Sequence, residues 1–72
     1  MKAILENEVN ATEDQGIFLA VQNSFQPNDT VETFWVRIKK LSFKNHIFGR
    51  GANHIWIKNI ADLNKRIVLI TS

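Results

Sequence analysis

The sequence predicts an all-β domain, a small five-stranded barrel of the SH3-like or OB-like kind, on three observations. Segments rich in β-branched and aromatic residues recur at roughly ten-residue spacing, with short polar breaks between them. The 72-residue chain has no cysteine to cross-link it, and 44% of its residues are apolar, among them five Phe and two Trp. A core this small depends on tight packing, and closing a sheet on itself removes edges that would otherwise stay exposed. The third observation is residues 29–41, DTVETFWVRIKKL, which have the residue types of a strand.

Each element follows in order. Residues 2–9 read as a first strand with Ile4 turned inward. Residues 10–15 are polar and close on Gly16, which can supply the positive φ of a turn. Residues 17–21, five consecutive apolar positions, read as a buried strand. A loop follows around Pro27, which has no N–H to give a ladder. Residues 29–41 admit two readings. As a strand, Phe34, Val36 and Ile38 point one way and Trp35, Arg37 and Lys39 the other. As a helix, Asp29 caps with Glu32 three residues on, and Val31, Phe34, Trp35, Ile38 and Leu41 form a stripe that Val36 interrupts. The helix reading gives the alternative architecture, an α+β domain with residues 29–41 lying on an antiparallel sheet. Val31, Thr33, Val36 and Ile38 are β-branched, and this favours the strand. Lys44-Asn45 and Gly49-Arg50-Gly51 with Ala52-Asn53 read as turns. Residues 54–60 read as a strand, with Ile55 and Ile57 on one side and His54, Trp56 and Lys58 on the other. Residues 61–65 connect to a last strand over 66–71. With no repeat or linker, residues 1–72 form a single domain.

The phrase Asp29-Thr30-Val31-Glu32, then Phe34-Trp35-Val36-Arg37-Ile38, with Ile47-Phe48-Gly49 and Asn53 after it, resembles a hairpin of certain small bacterial β-barrel domains. Those domains carry an E-x-F-W-V-x-I…I-x-G-x-x-x-N pattern, and some sit near toxin-immunity systems. The resemblance covers residues 29–53. It implies a β fold there and points towards an immunity-type role, and it names no active site.

Charge is divided along the chain. Residues 1–32 hold six acids against Lys2, and residues 33–72 hold eight Lys or Arg against Asp62. The two halves either neutralise each other or form two surfaces. An acidic edge of Glu6, Glu8, Glu13 and Asp14 would meet a basic groove on a partner protein. An aromatic-plus-basic face of Trp35, Arg37, Lys39, Arg50, His54, Trp56 and Lys58 would stack bases and meet phosphates.

Catalysis is not expected. Ser24, Ser42 and Ser72 lack a nucleophile-elbow context, and the paired carboxylates have polar neighbours. His46 and His54 would need two further ligands to hold zinc, so neither metal nor cofactor is expected. Gly49-Arg50-Gly51 falls short of a phosphate-binding loop. The expected function is a non-enzymatic binding protein that occludes a partner protein's surface, as an immunity or anti-defence inhibitor does. A nucleic-acid-binding barrel is the alternative and a structural subunit a third reading; a homodimer is compatible with the small core. Residues 1–5 do not make a signal peptide and no run is long enough to span a membrane, so a cytoplasmic location is expected.

Overall fold

The computed structural model describes residues 1–6 and 11–72, so Glu8 of the expected acidic edge lies outside the described residues. The described chain is α+β and open, which corrects the expectation of a closed all-β barrel. Its elements are β1 (Lys2–Leu5), α1 (Ala11–Asn23), α2 (Val31–Ile38), β2 (His46–Arg50), β3 (His54–Asn59) and β4 (Arg66–Thr71). The four strands form one antiparallel sheet in the order β1-β4-β3-β2.

The barrel expectation fails at two segments, for one reason. In α1 the buried positions are Asp14, Ile17 and Val21, spaced three and four apart, while Gln15, Gly16 and Leu19 are exposed. That is a helical period, and it divides the apolar run 17–21 between core and solvent. Residues expected as a loop supply the first turn, where Glu13 and Asp14 suit the positive end of the helix dipole. Gly16 sits inside the helix without a positive φ, so no turn forms there.

In α2 the buried residues are Val31, Phe34 and Ile38, again one stripe. Strand propensities differ by about 1 kcal/mol over the whole scale, whereas burying one Val, Ile or Phe gains about 1.5–3 kcal/mol. Three such burials outweigh the preference of the β-branched residues, and Val36, which broke the stripe, faces solvent at 60% exposure. The N-cap is Thr30 rather than Asp29. The Thr30 hydroxyl accepts the Thr33 N–H at 3.2 Å, and the Thr33 hydroxyl accepts the Thr30 N–H at 2.9 Å, a reciprocal cap.

Asp29 has a different task. Arg37 donates to its two carboxylate oxygens at 2.6 and 2.9 Å, and also to the Ser24 carbonyl and the Gln26 side chain at 3.1 Å. This clasp ties the loop between the helices to α2, with Asn28 turning the chain at φ 66°. The Arg37 hydrogen bond holds the Asp29 carboxyl well below the usual carboxylate range.

The helices cover one face of the sheet. Ala3, Ile55, Ile57, Val68 and Ile70 pack there with Ile17, Val21, Val31, Phe34 and Ile38. Phe25 meets Phe34 edge to face at 4.8 Å between centroids. The β3–β4 register passes from Ile57 opposite Val68 to Lys58 opposite Arg66, leaving Ile67 as the extra residue of a bulge. The turn expected over residues 49–53 is shorter than that: Gly49 and Arg50 belong to β2, and the chain turns over residues 51–53. The hairpin is β2–β3, and no hairpin forms from residues 29–41 as the resemblance implied.

Candidate partner-binding face

Sheet alternation sends every second residue to the face that the helices leave open. The register aligns Ile4, Leu69, Trp56 and Gly49 in one row across all four strands. Lys2, Thr71 and His54 form the next row, and Ile47 lies opposite Lys58. Ile4 and Ile47 are each 38% exposed, and Trp56 and Leu69 are half-buried. Ile4 thus points outward, against expectation, and its neighbour Ala3 fills the core.

Trp56 lies flat across β2. A β-carbon at Gly49 would overlap the indole ring, so the missing side chain makes room for the tryptophan. The Lys58 ammonium stands 4.4 Å from the ring centroid, a cation–π contact on an exposed face. At one end of the face Glu6 is joined to Arg66 at 2.8 Å. No family model, curated protein or solved structure matches this chain. The reading of the face therefore rests on its own geometry.

The seven residues expected to form one aromatic-plus-basic face are divided among three places. His54, Trp56 and Lys58 share the open face. Trp35, Lys39 and Arg50 gather on the helix side, with the two cations 5.7 and 5.9 Å from the indole. Arg37 is in the Asp29 clasp, 5.6 Å from the Phe34 ring. Trp35, Arg37 and Lys39 share no face because the segment is helical: Trp35 and Lys39 are one turn apart, and Arg37 points elsewhere. Arg50 is also engaged, donating to Glu32 at 2.7 and 3.1 Å. That hydrogen bond lowers the Glu32 pKa and raises that of Arg50.

The acidic edge does not assemble as a row among the described residues. Glu6 is paired with Arg66, Asp14 is buried at 3% exposure, and Glu13 stands exposed at the start of α1. Asp14 faces His46, whose side chain is fully covered. The His46 Nδ1 lies 2.7 Å from the Lys44 carbonyl, while Nε2 has no hydrogen-bond partner among the described residues and sits 3.9 Å from the Asp14 carboxylate. His54 is at the far end of the same hairpin, against Gly51, so the two histidines cannot share a metal. Among the described residues no group of three or more His, Asp or Glu is placed to hold one.

Sequence reasoning passed over Lys2, Ile4, Ile47 and Leu69 as site residues. The run 67–70 is apolar throughout and does not single out Leu69, and nothing local shows which side of a strand the helices will cover.

Proposed function

We propose that this chain is a non-enzymatic, cytoplasmic binding protein that covers a partner protein's surface, and that the open face of the sheet is where it does so. One observation carries the reading: Ile4, Leu69, Trp56 and Ile47 form an apolar centre that no helix or strand among the described residues covers, flanked by Lys2 and Lys58, with nearby Glu6 already neutralised by Arg66. An apolar centre with a polar rim is the anatomy of a protein interface, and tryptophan is the side chain that most often dominates binding there. The cationic rim selects an acidic, amphipathic partner segment. Nucleic acid fits this surface less well. Arg37 and Arg50 are committed to carboxylates, Trp35 is on the other side of the sheet, and Trp56 has aliphatic Ile4, Leu69 and Ile47 as its apolar neighbours on the open face.

Two side chains weighed for chemistry are engaged within the fold, which supports the binding reading. Ser24 donates its hydroxyl to the Ala20 carbonyl, and the His46 ring is covered, so neither is offered to a substrate. Among the described residues no helix is long and apolar enough to cross a membrane.

The test is selection from a displayed random-peptide library on the wild-type chain, with counter-selection on the Lys2→Glu/Lys58→Glu variant. Single-stranded DNA binding is measured in parallel by fluorescence in a Trp35→Phe background, where Trp56 is the sole reporter. Selected peptides should combine Asp or Glu with apolar residues, shift Trp56 emission, and lose binding to the variant. Enrichment of basic peptides, or DNA binding tighter than any selected peptide, would overturn the reading.

A further inference from the structure

We infer that the partner segment binds as an added strand on the free edge of β2. This rests on the open-face reading and specifies its mode. β2 ends the sheet order, and the bonds at the two ends of the β2–β3 hairpin reveal which of its backbone groups are unused. Gly51 N–H donates to the His54 carbonyl and Ile60 N–H to the Asn45 carbonyl, each at 2.9 Å. Antiparallel pairs alternate between bonded and non-bonded, so Ile47 and Gly49 face β3. His46, Phe48 and Arg50 therefore turn their N–H and C=O groups outward. His46 N–H is taken by the Phe43 carbonyl at 3.3 Å. The outward groups of Phe48 and Arg50, and the His46 carbonyl, have no backbone partner among the described residues. Such an edge is a template for an extended segment.

The side chains fit that occupant. Gly49 is central in β2 and the Trp56 ring lies across it, so the ring extends towards the edge. A residue of the added strand beside Gly49 would rest on the indole instead of on a β2 side chain. Lys44 precedes the edge, Lys58 lies over the ring, and Lys39 stands beside Trp35 on the helix side. Arg50 is already matched by Glu32, whereas among the described residues these lysines form no ion pair and can meet carboxylates on the incoming segment. A second copy of the chain fits worse. Antiparallel pairing of two β2 strands about Phe48 sets His46 of each copy opposite Arg50 of the other and brings together two edges carrying the same lysines.

The experiment uses a synthetic peptide of alternating valine and glutamate, a lysine counterpart, and two N-methylated forms of the acidic peptide, one for each alternate set of amides. Amide exchange is followed by NMR on the isotope-labelled chain, together with Trp56 emission. The acidic peptide should slow exchange at Phe48 and Arg50 by roughly tenfold or more. Methylating one alternate set should abolish binding, and methylating the other should leave it intact. If the peptide shifts Trp56 emission but leaves Phe48 and Arg50 exchanging freely, strand addition is overturned and the open-face reading stands. If neither acidic nor library-selected peptides bind, both fall. Protection of Phe48 and Arg50 that rises with protein concentration and needs no peptide identifies a second copy as the occupant and overturns the inference.

Discussion

Replacing Gly16 by alanine separates the helix from the turn that the sequence predicted, because the two conformations give opposite signs. In the structure Gly16 is an exposed interior position of the 13-residue helix α1, without a positive φ. A β-carbon built there meets no atom within 4 Å. The methyl group therefore costs nothing in packing, and the substitution removes the conformational freedom that glycine gives the unfolded chain. Glycine in a helix interior is less favourable than alanine by about 0.5–1 kcal/mol. For 72 residues the unfolding entropy is roughly 150 cal/mol/K, so that gain raises the melting temperature by about 3–7 °C. Thermal unfolding followed by circular dichroism at 222 nm reads it directly. A melting temperature lowered by several degrees would mean that Gly16 uses a positive φ, and the helical account of residues 11–23 would be refuted.

Two further substitutions test the packing and the clasp. Phe34→Ala empties the best-buried aromatic position, at 0% exposure, and should cost about 3–5 kcal/mol from a domain whose whole stability is about 4–11 kcal/mol. A urea midpoint that barely moves would show that Phe34 is not in the core. Asp29→Asn removes a carboxylate whose pKa is lowered by Arg37, a group that stabilises the fold above its unfolded pKa, near 4, and progressively less as pH falls below that. Denaturation curves of the two proteins should be well separated at pH 7 and converge in acid, and a gap that stays constant with pH would contradict the clasp.

The residues of β3 were legible because their alternation is local, and those of β4 because the short run 67–70 is rich in β-branched residues. Ile55 and Ile57 against His54, Trp56 and Lys58 admit one period, and β3 lies where that period puts it. Residues 17–21 and 29–41 were not legible in the same way. The first is too short and too uniformly apolar to show a period, and the second satisfies a strand by residue type and a helix by its stripe. Local propensity differs by too little to decide between them. Four strands leave one broad apolar face to cover, and the stripes Ile17–Val21 and Val31–Phe34–Ile38 cover it when they are helical.

The division of charge along the chain was plain in the sequence, but its use was a matter of topology. β1 lies beside β4, which brings Glu6 to Arg66, and β2 runs past α2, which brings Arg50 to Glu32. Glu6 of the expected acidic edge and Arg37 and Arg50 of the expected basic face are each taken up by a partner outside those two sets. The face that remained open was set by which side of the sheet the helices occupied, and no spacing along the chain encodes that side. Its apolar row is drawn from β1, β3 and β4, from positions 4, 56 and 69, which only the strand order β1-β4-β3-β2 makes neighbours.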